Sequence, residues 1–146
     1  MRDDEYDVIV VGGGPAGLQA ALTLGRMHRA VLLLDSGRYR NDPTGHLHNF
    51  VTRDGTPPAE FRAVAHRELA GYDTVTVRAA TATEMTATDG GFTVTLEDGA
   101  VAARRVLLAT GVRDTLPDVP GLADLFGGAV AHCPFCHGHE YAGGHV

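Results

Sequence analysis

The sequence predicts an α/β fold: a parallel sheet with an antiparallel β-meander inserted into it. Three observations predict it. The runs Val8–Val11 and Ala30–Leu34 have no polar face, as strands covered on both sides require. Between them, Gly12-Gly13-Gly14-Pro15-Ala16-Gly17 forms a G-x-G-x-x-G turn that leads into small and apolar residues at helical spacing. From Thr74 to Ala109 the apolar period then drops to two.

Residues 6 to 35 read as one β-α-β unit that grips a dinucleotide. Gly12 permits the tight turn, Gly14 lets the backbone approach a pyrophosphate, and Gly17 lets helix and strand pack closely. Gly13 and Ala16 complete the turn. Pro15 suits a first helical turn because it has no N–H to leave unpaired, and the free N–H groups there point at phosphates. Leu18, Ala21, Leu22 and Gly25 give the helix its inner face. Asp35 closes the second run about 20 residues past the turn, where a carboxylate takes ribose hydroxyls; its blander reading is a turn residue.

Ser36 to Thr56 is long and irregular and carries Arg38, Arg40, Asn41, His46, His48 and Asn49. A loop of that length is uncommon in a compact domain unless it binds something. Thr56-Pro57-Pro58-Ala59-Glu60 reads as a helix start, with Phe61, Val64, Ala65 and Leu69 on one face and Gly71 as a stop. Thr74–Val77 and Phe92–Leu96 alternate as half-buried antiparallel strands do, with turns at Asp89-Gly90-Gly91 and Glu97-Asp98-Gly99. Val106–Ala109 is continuous and apolar, which suits a return to the central sheet. It ends at Thr110-Gly111, at a strand's carboxyl end, where open α/β sheets bind ligands. Arg113–Gly121 reads as a linker towards Cys133-Pro134-Phe135-Cys136-His137-Gly138-His139-Glu140.

At 146 residues the chain suits one ordinary domain and is short for two. Its net charge of −6, with no basic patch, argues against nucleic acid. Met1–Glu5 is acidic and has no apolar core of a leader, and no apolar run reaches membrane-span length. A cytoplasmic location with no membrane partner is therefore expected. In a reducing compartment a C-x-x-C pair points to redox or metal chemistry rather than a staple. The pair can close a disulfide that stores two electrons. His132, His137 and His139 can lower a thiol's pKa when protonated, or take its proton when neutral. Rival readings remain. Cys133–His137 also spells a haem-attachment signature. Cys133, Cys136, His137 and His139 could hold zinc, although ligands so close together crowd a tetrahedron, and no metal is expected. Buried thiols or a non-catalytic fragment would bind no cofactor.

Four motifs, in order and spacing, carry a family resemblance: Val11–Gly17; Asp35 at the end of the second strand; Leu108-Ala109-Thr110-Gly111 with Leu116-Pro117 and Pro120-Gly121; and Cys133-Pro134-Phe135-Cys136. On these the chain resembles the low-molecular-weight thioredoxin reductase family of FAD-dependent pyridine nucleotide–disulfide oxidoreductases. The resemblance implies a Rossmann-like FAD-binding parallel sheet with FAD, not NAD, at Gly12–Gly17. It implies that Ser36 to Asn41, with Arg38 and Arg40, lies along the adenosine and pyrophosphate, and that Asn49, with His48 beside it, lies near the flavin ring. It implies that Cys136 faces the flavin while Cys133 exchanges with a disulfide or dithiol substrate, a small protein or a small molecule. A homodimer is a further expectation.

Residues 1–113 then form the FAD-binding domain, and 114–146 the linker and the start of a truncated second domain carrying the C-x-x-C pair. Family members run to about twice this length, on the order of two domains. A second glycine strand, for NADPH, is expected to begin at His145-Val146, and the Gly-Asp segment that closes the family's FAD site is absent. The chain is thus expected to match a reductase's N-terminal half, to bind FAD weakly, and to use NADPH only if a second domain follows. His137 stands where thioredoxin reductases proper carry an aspartate. The His46/His48 pair and the run Cys133–Glu140 look more like relatives that oxidise small-molecule dithiols with molecular oxygen. Such an oxidase is the second functional reading.

Overall fold

The computed structural model describes residues 5–145; residues 1–4 of the acidic N-terminal stretch, and Val146 of the expected second glycine strand, lie outside them. The chain forms two compact units. The first runs to Tyr39 and resumes over Val64–Gly111; the second comprises Arg40–Ala63 and the chain from Val112 onward.

The first unit is organised on a six-stranded sheet. Its strands are β1 (Glu5–Val11), β2 (Val31–Asp35), β3 (Val75–Ala79), β4 (Ala82–Thr88), β5 (Gly91–Leu96) and β6 (Gly99–Leu108), in the spatial order β3-β2-β1-β6-β5-β4. Helix α1 (Pro15–Arg26) connects β1 to β2, which run parallel with Val8 opposite Val31. Successive strand residues face opposite sides. Val10 therefore lies towards α1, against Gly17. Ile9, Leu32 and Leu34 instead pack with Val94, Leu96 and Ala103 from the antiparallel strands. Both faces are covered, so neither run can alternate. Val8–Val10 and every residue of β2 are buried. Each fully buried aliphatic side chain here stabilises the fold by about 1.5–3 kcal/mol.

One expectation needs correction. β3 is not an antiparallel strand of the meander: it runs parallel to β2, with Val75 opposite Val31 and Ala79 opposite Asp35. β3 is an edge strand of the sheet, and its burial does not follow the alternation: Thr76 and Val77, on opposite faces, are both exposed. The meander is β4-β5-β6, and it is continuous with the central sheet. β6 is antiparallel to β5 over Gly99–Ala103 and parallel to β1 over Ala102–Leu108. Val106–Leu108, expected to return to the central sheet, does so as the end of β6, parallel to β1.

Helix α2 (Pro58–Leu69) begins within the expected Thr56–Glu60 stretch; Pro58 and Leu69 are buried, and Phe61, Val64 and Ala65 half-buried. The second unit is mostly irregular. An antiparallel bridge joins Leu47 to Thr56, and the later chain contributes α3 (Leu122–Leu125), α4 (Pro134–His137) and a 3-10 turn (Gly138–Tyr141), none of them marked by sequence periodicity. Gly127 takes φ +92° and lies so close to the Pro43 backbone that a Cβ would clash, which ties the long loop to the later segment. Phe50 and Phe61 meet edge to face at 5.3 Å. Among the described residues no helix is long and apolar enough to cross a membrane.

Candidate functional site

In the first unit the glycine turn separates what the fold needs from what it leaves open. A Cβ on Gly12 would meet the Ala109 carbonyl oxygen, and φ of +119° already demands glycine. A Cβ on Gly17 would meet the Gly12 carbonyl oxygen, and one on Gly13 the Asp35 carboxylate. A Cβ on Gly14 would meet nothing within 4 Å. Gly14 precedes α1 with an extended φ of −76°, Pro15 opens the helix, and the first turn carries no acid. The N–H groups there are left for an anion approaching over Gly14. Pro15 and Ala16 are exposed around that space. The Ala109 N–H donates to the Val11 carbonyl at 2.8 Å, which brings Thr110 and Gly111 beside the turn; both are exposed, and Gly111 has φ +65°.

Asp35 is 7% exposed and closes β2 beneath Gly13. Its Oδ1 accepts from the Gly37 N–H at 2.9 Å and its Oδ2 from the Tyr39 hydroxyl at 2.6 Å. His66 Nε2, on α2, lies 3.7 Å from the same Oδ2. These groups line a cleft of about 660 Å³ whose polar side is Asp35, Ser36, Tyr39, His66, Thr81 and Glu97, and whose apolar wall is Val77, Ala79 and Ala80. Clefts of that size hold small ligands. Ser36 and Arg38 are exposed. The sequence offered no pointer to His66, which belongs to no spaced motif and is brought to Asp35 by the position of α2; Tyr39 lies within the expected Ser36–Asn41 stretch but was not singled out.

The second unit holds the other expected residues. Arg40 grips Asp114 with both arms of its guanidinium, Nε to Oδ2 at 2.8 Å and Nη2 to Oδ1 at 2.7 Å. That hydrogen bonding raises the Arg40 pKa and holds the Asp114 carboxyl below the usual carboxylate range. Asn41 Oδ1 accepts from Arg62 at 3.3 Å, and Arg62 also reaches Asp42 at 3.0 Å. His48 stands between two carboxylates, Nδ1 at 3.4 Å from Asp54 and Nε2 at 3.5 Å from Glu140. Asn49 adopts the left-handed conformation, φ +60°, and its N–H donates to Asp54 at 2.8 Å. Asparagine tolerates that region better than most residues. The His46 ring lies 6.5 Å from that of His48.

Cys133 and Cys136 are joined as a disulfide, with their Cα atoms 5.3 Å apart. One helical turn sets that distance: the N–H groups of Cys136 and His137 both bond back to the Cys133 carbonyl at 3.2 Å. His137 Nδ1 is closed off from solvent and has no hydrogen-bond partner among the described residues. Phe135, between the cysteines, is 82% exposed.

A family model described as pyridine nucleotide-disulphide oxidoreductase matches residues 6–142. The chain is 44% identical to thioredoxin reductase aclD of Aspergillus oryzae over 142 residues, which is 94% of this chain and 45% of that protein. It is 40% identical to thioredoxin reductase tcpT of Claviceps purpurea, over 94% of this chain and 44% of that protein. Among solved structures, the oxidoreductase from Agrobacterium tumefaciens superposes with a TM-score of 0.90 at 42% identity, covering 94% of this chain and 47% of that one. The chain thus spans less than half the length of these relatives.

Proposed function

Since the chain belongs to the pyridine nucleotide-disulphide oxidoreductase family, we propose that it works as an FAD-dependent, thioredoxin reductase-like thiol–disulfide oxidoreductase. In this reading electron pairs pass between a flavin and the Cys133–Cys136 pair. One observation carries it: the glycine turn is closed by the protein's own atoms at Gly12, Gly13 and Gly17 and open at Gly14. The residues present fit FAD. Gly12–Gly17 would take the pyrophosphate, with Asp35 and Ser36 on the adenosine side and Arg38, Arg40 and Asn41 along the following turn. Thr110 and Gly111 lie beside the turn; for His48 and Asn49, a place near the flavin ring is what the family resemblance implies. FAD, when bound, supplies or accepts two electrons at a time.

The chain's own chemistry is thiol–disulfide exchange. A substrate thiolate attacks Cys133 Sγ, a mixed disulfide forms, and Cys136 leaves as a thiolate. A second substrate thiol displaces Cys133, so the substrate becomes a disulfide and the pair a dithiol; reduction of a substrate disulfide is the reverse. His137 follows Cys136 directly, and its buried Nδ1, unpaired among the described residues, suits it to hold the proton that a cysteine releases. By function we divide the chain into an FAD-binding part, 1–113, and a cysteine-bearing part, 114–146. NADPH enters only through a further nucleotide domain. The redox pair suits a cytoplasmic, reducing setting. The second reading, an oxidase that turns a dithiol and O₂ into a disulfide and H₂O₂, rests on His137 standing directly after Cys136 in place of an aspartate, and on the His46/His48 pair.

Gly14→Ala is the test. The new methyl touches no protein atom, so the thermal transition should shift only by the loss of a glycine N-cap, about 1 kcal/mol or less. Retention of FAD, read from visible absorbance after gel filtration, should fall at least about tenfold. Equal FAD retention by variant and parent, or a parent that takes up no FAD, overturns the proposal. Oxygen uptake with dithiothreitol and no nicotinamide selects the oxidase reading; flavin bleaching by NADPH selects the reductase.

A further inference from the structure

The chain around the cysteines has little to set against the charge of a thiolate. From Leu122 to Val146 it holds no lysine or arginine, so His132, His137, His139 and His145 are its only side chains able to carry positive charge. The proposed exchange uses Cys133 as a thiolate whenever the pair is a dithiol, and a thiolate forms more readily beside a positive charge. His137 follows Cys136. His132 precedes Cys133, and the fold gives its ring a setting of its own.

A turn builds that setting. The Val130 N–H donates to the Leu125 carbonyl at 3.1 Å and the Gly127 N–H to the Val130 carbonyl at 2.9 Å, which doubles the chain back. Phe126 thereby comes beside His132, with ring centroids 5.8 Å apart and planes tilted by 36°. From the linker, Asp114 Oδ2 lies 3.9 Å from His132 Nδ1. An aromatic ring and a carboxylate both favour an imidazolium over a neutral ring. The carboxylate is kept ionised in turn: both of its oxygens accept from Arg40, and that bonding holds the carboxyl below its usual range. The side chains are 27% and 22% exposed, so water and salt screen the pair only in part.

We propose that Asp114 is a positioning residue for thiol–disulfide exchange: it holds His132 in its charged form beside Cys133 and so favours the Cys133 thiolate. Arg40 tunes it from behind. Its hydrogen bonds keep the carboxylate ionised and fixed, while its charge offsets part of the field that reaches His132. No electrons move in this step. The Cys133 thiol gives its proton to solvent, and the imidazolium stabilises the charge left on sulfur. The inference rests on the proposed exchange at Cys133. It brings in Asp114 and Arg40, two residues from outside the C-x-x-C segment that the exchange chemistry does not otherwise use.

The test reduces the full chain, removes the reductant and alkylates with iodoacetamide between about pH 5 and pH 9, reading Cys133 and Cys136 separately by peptide mass spectrometry. Asp114→Asn keeps an acceptor for Arg40 but drops the negative charge. It should slow Cys133 alkylation about threefold at about pH 6.5 and move the pH profile upward. Arg40→Gln keeps a donor but drops the opposing charge, so it should quicken the same reaction about twofold. In a His132→Gln background, Asp114→Asn should no longer slow it. A mere tie between loop and linker predicts instead that both single variants shift the profile the same way. The proposal is overturned if Asp114→Asn matches the parent, if Arg40→Gln fails to move opposite to Asp114→Asn, or if Asp114→Asn still slows alkylation without His132. A parent in which Cys136 reacts faster than Cys133 overturns the exchange order as well. None of these outcomes bears on FAD retention by parent and Gly14→Ala, which tests the cofactor reading separately.

Discussion

In the first unit Val8–Val10 and Val31–Leu34 leave almost no side chain in water, and the glycine turn is shaped by backbone atoms pressed against one another. In the second unit Phe50, Val51 and Phe135 stand largely exposed, and cohesion comes from side-chain ties: Arg40 with Asp114, Arg62 with Asp42, His48 between Asp54 and Glu140. The first depends on apolar area and close packing, which salt and mild pH changes hardly touch. The second depends on exposed charges, which both alter. A nucleotide cradle gains from rigidity, since the N–H groups of its turn must stay aimed. On the proposed function, a redox pair that meets a disulfide or dithiol would gain from a surrounding that can open.

The contrast breaks most sharply at Gly17. Valine there would drive side-chain carbons into the Gly12 carbonyl, and backbone cannot move aside cheaply. We expect destabilisation of about 4 kcal/mol or more and loss of FAD uptake, measured by urea unfolding and by absorbance. If Gly17→Val unfolds within about 1 kcal/mol of the parent, the first unit is not held by close backbone packing.

Next in size is Leu33→Ala. Leu33 is fully buried in the middle of β2, and its loss should cost about 2–5 kcal/mol by leaving a cavity. The unfolding transition should move for strand amides followed by hydrogen exchange. The amides of residues 40–56 should exchange as before if their protection arises from side-chain ties rather than from the core. A uniform loss of protection across both groups would erase the distinction between the units.

The same contrast explains what could be read from the sequence. The β1-α1-β2 unit was legible because burial on both faces leaves an unbroken apolar run, and because Gly12, Gly14 and Gly17 stand at a spacing that few other structures require. Cys133 and Cys136 were legible from spacing alone, as one helical turn brings them together. The direction of β3 was not, since the alternation of Thr74–Val77 carries no information on strand direction. Nor was the double pairing of β6, because nothing in Gly99–Leu108 marks where its partner changes. Tyr39 and His66 reach Asp35 through the paths of a turn and a helix, which no local pattern encodes. The pairing of Arg40 with Asp114 spans 74 residues, and any of several loop acids would have looked as suitable.

That ion pair gives the smallest and most specific effect. The hydrogen bond from Arg40 holds Asp114 below its ordinary value of 3.8; burial opposes this, and the fields of Arg40 and of His132, 3.9 Å away, assist. A carboxyl with a depressed folded pKa favours the folded state above its unfolded pKa, and the benefit is lost as pH falls through the folded value. The tie between the long loop and the chain after Val112 should thus be intact at neutral pH and fail on strong acidification. Arg40 stays protonated throughout, so its charge does not alter the sign. Arg40→Met should raise hydrogen exchange of residues 40–49 about two- to fivefold at pH 7, corrected for intrinsic rates. The difference from the parent should shrink in about 1 M salt and vanish once pH drops below the folded pKa of Asp114. Amides of β1 and β2 should show no such dependence on Arg40 at any pH. Should Arg40→Met leave the loop's exchange unchanged at pH 7, the ion pair does not hold the second unit, and its order must come from Gly127 against Pro43 and from Phe50 on Phe61.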